Sequence, residues 1–205
     1  MIVDNPRMRE PRIWTLLATG KDNLGVSPVD LTWFCDRFDA KPMDEDWQPL
    51  PLELIHKSKK LRDFVSWMIC APLVSQRARD AIEALCPGAV QFLPFHALKG
   101  KPYFAMNVLQ TAEVLDFEAS DVLRSDDTGE VFHVNACAFV PGLSEQLPPL
   151  FKDPRYPSEV FVTERFARMA IELGLTGLAL SDPTVNRFYK IVRGIPPNVY
   201  PGIIT

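Results

Sequence analysis

Apolar residues fall at Ala78, Ala81, Ile82 and Leu85, and the same steps recur at Phe166, Met169, Ala170 and Leu173. Spacing of i, i+3, i+4 and i+7 makes one apolar stripe on an amphipathic helix of about three turns. Ser75 and Thr163 hold equivalent N-cap positions, where a hydroxyl accepts a bond from an otherwise unpaired helix N–H. Gln76 and Glu164 follow, and the carboxylate suits the positive end of the helix dipole. Cys86-Pro87-Gly88 closes the first helix and Gly174 the second. Each helix is followed by a short apolar run, "AVQFLPF" and "TGLALSDP", with the character of a strand laid back under it. Two similar capped helix–strand units are therefore predicted, at about 75–92 and 163–180. Neither buries its face alone, so both are expected to pack on one sheet and to bury Ile82, Leu85, Met169 and Leu173. Replacing Leu85 or Leu173 by Ala is expected to cost about 2–5 kcal/mol. Two copies fall short of a solenoid.

The rest of the pattern is mostly strand. "RIWTLLAT" at 12–19 is β-like, and "LPLELI" at 50–55 alternates in the manner of a half-buried strand. "VQFLPFHALKGKPYFAMNVL" reads as a hairpin around Lys99-Gly100-Lys101. "GEVFHVNACAFV" is a further strand, entered through the turn at 126–129. Strands and helices alternate without a regular βαβ rhythm, which predicts an α+β fold with a mainly antiparallel sheet. Nineteen prolines against ten glycines cluster at 42–51, 141–157 and 183–201, which marks three irregular connections. The expected organisation is a single domain over 1–182 and a proline-bearing C-terminal extension over 183–205.

Composition narrows the function. A chain of 205 residues with 47% hydrophobic and 23% charged residues is an ordinary globular protein. A net charge of −4 argues against a nucleic-acid partner, which calls for a basic surface. The apolar run nearest the amino terminus, residues 13–18, is shorter than a signal-peptide core and follows charges and two prolines. No segment approaches a membrane span, so a cytoplasmic protein without membrane partners is expected. In a reducing cytosol Cys35, Cys70, Cys86 and Cys137 are expected to be small buried hydrophobes rather than two bridges.

The search for chemistry yields little. His56, His96 and His133 stand apart, in no metal-binding spacing, and no GxSxG, GxGxxG or P-loop occurs, so neither metal nor cofactor is expected. His133 and Cys137 share one face of a predicted strand but lie about 13 Å apart at strand rise, too far for a direct couple. Asp36, Asp39, Asp44, Glu45 and Asp46 form an acidic stretch that ends at Trp47, followed by the basic run "HKSKKLR". Asp44, Glu45, Asp46 and Trp47 are the candidate contact residues: an acidic ledge beside an aromatic has the composition of a protein-binding surface. Two solvated loops and a core tryptophan are the plainer alternative.

The order of "WQPLPLELI", "LRDFVSW", "LVSQRARDAIEAL", "PYFAMNVLQTAEVLDFE" and "VFVTERFARMAIELGLTGLAL" resembles the immunity-protein family of bacterial polymorphic toxin systems. That family was long catalogued as a domain of unknown function and is typified by a myxobacterial member. The similar features are Asp63-Phe64, Val74-Ser75, Tyr103-Phe104 with Asn107-Val108, Leu115-Asp116, Val162-Thr163 and Leu175-Thr176-Gly177, within residues 46–182. The resemblance implies a non-enzymatic antidote, encoded beside a secreted toxin and binding that cognate toxin directly inside the cell. It transfers no catalytic residues and leaves the oligomeric state open. Residues 1–45 match loosely and the tail from 186 runs past the usual end; each is a candidate seat of toxin specificity or padding of a sheet edge. Two other readings stand beside it: a small cytosolic enzyme with Cys137 or His133 in a cleft, and an adaptor for secretion machinery.

Overall fold

A computed structural model describes residues 13–18, 24–28, 37–43, 47–49, 51–54, 60–68, 70–143 and 146–185. In chain order the elements are β1 (Ile13–Ala18), β2 (Val26–Pro28), β3 (Leu52–Leu54), β4 (Phe64–Met68), β5 (Ala71–Ser75), α1 (Gln76–Leu85), β6 (Val90–Pro94), β7 (Tyr103–Val108), β8 (Asp121–Arg124), β9 (Val131–Ala136), β10 (Leu150–Asp153), β11 (Tyr156–Thr163), α2 (Glu164–Glu172) and β12 (Leu178–Ser181). The fold is α+β and mainly antiparallel, as expected. The strands form two four-stranded sheets, β4-β5-β7-β6 and β10-β11-β1-β12, and two short ribbons, β2-β3 and β8-β9.

The repetition in the sequence is therefore larger than a helix and a strand. Each helix leaves one strand and enters another two places away, with a third strand, antiparallel to both, inserted between them. In the first sheet that inserted strand is β7, which follows at once along the chain. In the second it is β1, from the other end of the chain. The helices thus rest on two sheets, not the single one expected. Leu16, Phe64, Val74, Ile82, Met106, Val162, Phe166 and Leu180 meet in one core between both helices and both sheets. Alternate residues face outward into separate clusters, so each sheet is covered on both faces: Val65, Leu73 and Ala105 in one outer cluster, Phe151 and Phe161 in the other.

Local expectations hold in part. Ser75 Oγ accepts from the Ala78 N–H at 3.2 Å, a side-chain cap on α1. Thr163 occupies the N-cap of α2 without capping it. It still belongs to the β11 ladder, opposite Ile13, and its buried hydroxyl has no partner among the described residues. The 98–101 turn has Leu98 and Lys101 exchanging both backbone bonds, with Lys99 and Gly100 at φ 49° and 75°. That is the left-handed pair a two-residue hairpin turn requires. The proline cluster at 141–157 is not wholly irregular, because β10 and the start of β11 lie within it.

Ile82 is buried as expected, and Leu85 and Met169 are partly buried against the shared core. Leu173 is not: it is 46% exposed. The cause is how α2 stops. Gly174, at φ 58°, donates to Ile171 O at 2.9 Å, and Leu175 N–H donates to Ala170 O at 2.9 Å. This Schellman arrangement folds the chain back so that Leu175, not Leu173, enters the core. Truncating Phe166 to Ala should therefore cost about 3–5 kcal/mol, while Leu173→Ala should stay within about 1 kcal/mol, read from denaturant midpoints. Similar losses at the two positions would refute the arrangement.

Candidate functional site

Several residues that carry the family resemblance converge on one carboxylate. Asp63 lies just ahead of β4 with little exposure, and four donors serve its side chain. Ser75 Oγ reaches Oδ1 at 2.9 Å, while Oδ2 accepts from Arg77 Nη1 at 3.2 Å and from the backbone N–H and hydroxyl of Thr176, both at 3.0 Å. The backbone repeats the connection: Ser75 N–H donates to Asp63 O at 2.8 Å, and Phe64 N–H to Thr176 O at 2.9 Å. Arg77 also donates to Leu173 O at the end of α2. One side chain thus ties the start of α1 to the loop between α2 and β12, joining the two repeated units. The neighbouring cavity, about 330 Å³, is lined by Arg62, Asp63, Arg77, Lys101, Tyr103 and Thr176, among others. Tyr103 donates to Arg62 O at 2.7 Å, and burial, with the negative charge of Asp63, pushes its phenol up to about 12. It stays protonated near neutrality. Charge-assisted bonds of this kind fasten segments together, and the carboxylate is fully engaged.

Of the candidate contact residues, Asp44, Glu45 and Asp46 lie outside the described residues. Trp47 is half-buried: its ring packs edge-on against Phe38 and tilted against Phe95, and its indole N–H donates to Pro94 O at 2.7 Å. On the other flank, Met43 N–H donates to Gln91 Oε1 at 2.9 Å and Met43 O accepts from Gln91 Nε2 at 3.1 Å. Asn107 adds a bond to Lys41 O at 2.8 Å, which gives the Asn107-Val108 feature a physical role. Both flanks of the acidic trio are therefore fastened to β6, the outer strand of the first sheet.

A buried cation holds the same segment from behind. Lys152, on β10, is fully buried and donates to Phe38 O at 2.5 Å. Burial pulls its ammonium down to about 7, although Asp39 opposes the shift. Next to it in sequence, buried Asp153 accepts from the N–H groups of Val114 and Leu115, both at 2.9 Å, and from Arg155 Nη2 at 2.9 Å. Burial alone would raise that carboxyl, but the bonds from Arg155 and from backbone N–H groups outweigh it and hold it below the usual range.

Cys137 and His133, each a candidate for an enzyme's cleft, have different surroundings. Cys137 is buried in the apolar cluster of Val134, Phe151 and Phe161, whereas His133 is exposed on β9, opposite Leu123. Cys86 is buried at the end of α1, and burial raises its thiol to about 11, far from a reactive thiolate. Cys70 departs from the expectation of four reduced cysteines: it is disulfide-bonded, with its partner outside the described residues. Its side chain lies in the buried cluster on the outer face of the first sheet. Among the described residues no group of three or more His, Cys, Asp or Glu could hold a metal. No helix among them is long and apolar enough to cross a membrane.

What fold and site define is a two-sheet α+β protein whose buried charges serve to hold segments in place. The description "Immunity protein family (Imm11)" matches residues 34–184, well over half of the chain, and the protein belongs to that family. Membership points to an immunity role, a toxin as the general kind of partner and a non-enzymatic mode of action. No curated protein matches the chain.

Two expectations follow from the buried charges. Asp63→Ala should destabilise by about 3 kcal/mol, since it strands the Ser75 and Thr176 donors and Arg77, whereas Arg77→Ala, at an exposed partner, should cost about 1 kcal/mol or less. Equal losses in chemical denaturation would disprove this ranking. For Lys152, the folded chain binds fewer protons than the unfolded chain between about pH 7 and the ordinary value of 10.5. Stability should then rise with pH across that window, by up to about 1.4 kcal/mol per unit, and level off below it. Lys152→Met should remove this component of the slope, and an unchanged stability–pH profile would refute the shift.

Proposed function

We propose that the chain neutralises one cognate secreted toxin of a polymorphic toxin system by direct contact in the cytoplasm of the producing cell. The observation that carries this reading is the family match over residues 34–184, which takes in both repeated units and the Asp63 fastening. The geometry is consistent with it: Asp63, Ser75, Tyr103, Asn107 and Thr176, polar residues of the resemblance, are engaged in internal bonds, as suits a rigid binding partner that needs no reactive group. The acidic trio Asp44, Glu45 and Asp46 borders the toxin interface, where carboxylates steer a basic toxin surface and speed encounter. Trp47 fastens that segment to β6 and contributes its outer edge to the contact.

The deciding experiment is co-expression with the product of the adjacent toxin gene, followed by affinity purification and a growth assay. The toxin should co-purify and growth should be rescued; failure of both would end the reading. Replacing Asp44, Glu45 and Asp46 together by Lys should slow association and weaken its dependence on salt, with the melting temperature nearly unchanged. Unaltered association kinetics would move the steering surface elsewhere.

A further inference from the structure

β9 carries two irregularities that place side chains where a regular strand would not. Val122 stands opposite Val134 and Asp121 opposite Ala136, so Asn135 is an extra residue; Leu123 stands opposite His133 and Arg124 opposite Val131, so Phe132 is another. Such bulges bend a strand and re-aim the side chain at the inserted position. Asn135 uses its position to donate to Asp121 Oδ1 at 3.2 Å. Phe132 is left 63% exposed, more than any other large hydrophobic among the described residues, and Leu123 across the ribbon is 45% exposed. An aromatic projected into water by a bulge gains nothing for the fold.

The ribbon beneath it is held firmly. Val134 is buried and its N–H donates to Tyr156 Oη at 3.3 Å; Val122 and Val131 pack on the same outer cluster. The tip is closed by Gly129 N–H to Ser125 O at 2.8 Å and Ser125 N–H to Glu130 O at 2.9 Å. Phe132 is thus presented on a preorganised support, which lowers the ordering cost of binding. On the ribbon and the chain leading into it Glu118, Asp121, Asp126, Asp127 and Glu130 are exposed, and the ribbon's one Lys or Arg, Arg124, is paired with Glu118 at 3.4 Å. Like charge repels a second copy of this face. A partner with an apolar pocket rimmed by Lys and Arg satisfies both the ring and the carboxylates.

We infer that the β8-β9 ribbon is the apolar anchor of the partner interface, with Phe132 and Leu123 seated in a basic-rimmed pocket on the toxin. The inference rests on the toxin-binding reading above and supplies the exposed anchor that half-buried Trp47 does not.

The test measures binding of an inactivated form of the adjacent-gene toxin to the full chain, to Phe132→Ser and to Asp126→Asn with Asp127→Asn. Phe132→Ser should weaken binding by at least about thirtyfold, mainly through faster dissociation, with the melting temperature retained. The double Asn variant should slow association and flatten its salt dependence. Wild-type binding that neither variant disturbs overturns the anchor and leaves the toxin-binding reading intact. Absence of wild-type binding overturns both. A concentration-dependent dimer that Phe132→Ser dissolves would give the ribbon to a second copy and also overturn the proposal.

Discussion

A carboxylate withdrawn from water is tolerated only where donors replace the water it has lost, and Asp63 meets that condition by drawing on distant parts of the chain. Its donors come from the start of α1 and from the loop after α2, so the two repeated units are held in one relative position. That position aligns the apolar stripes of α1 and α2 over a single core shared by both sheets. A hydrophobic core alone tolerates sliding, because apolar contact has no direction. A hydrogen-bonded carboxylate does not, since a small displacement strands several donors at once. The packing supplies most of the stability, and Asp63 supplies the register.

The same division of labour recurs on the outer faces. Gln91 and Asn107 hold the 41–43 segment over the first sheet, and Asp153 with Arg155 holds the 114–115 segment over the second. Each sheet therefore has an apolar cover fixed by a few polar bonds to backbone atoms. This arrangement leaves the rims of the covers, not their undersides, to vary without disturbing the core. It places the β8-β9 ribbon on the cover of the second sheet, where exposed residues are under little structural constraint.

Much of the fold was legible because it is local. The α1 and α2 stripes, the Ser75 cap, the 98–101 turn and the strands β1, β3 and β9 follow from periodicity and turn chemistry within a few residues. What could not be read depends on partners far along the chain. Asp63 and Thr176 gave no sign in spacing that they would meet, although both lay within segments that resemble the family. Thr163 looked like Ser75 in sequence, but its place in the β11 ladder decided its hydroxyl's fate. Leu173 fitted the helical stripe, and only the reversal at Gly174 exchanged it for Leu175. Phe132 read as one residue of an alternating strand, because a bulge is a property of two strands in register and not of either alone. The acidic trio remains a matter of composition and charge.

The origin of β1 has a consequence for how the protein forms. Among the described residues every strand of the first sheet lies within 64–108, whereas the second sheet needs β1 paired between β11 and β12. On a ribosome the first sheet can close while the chain is still growing. β1 must wait, with both edges unpaired, until β11 has emerged, and keeps one edge open until β12 follows. A circular permutant that carried β1 after β12 would make the second unit as contiguous as the first and would remove that wait.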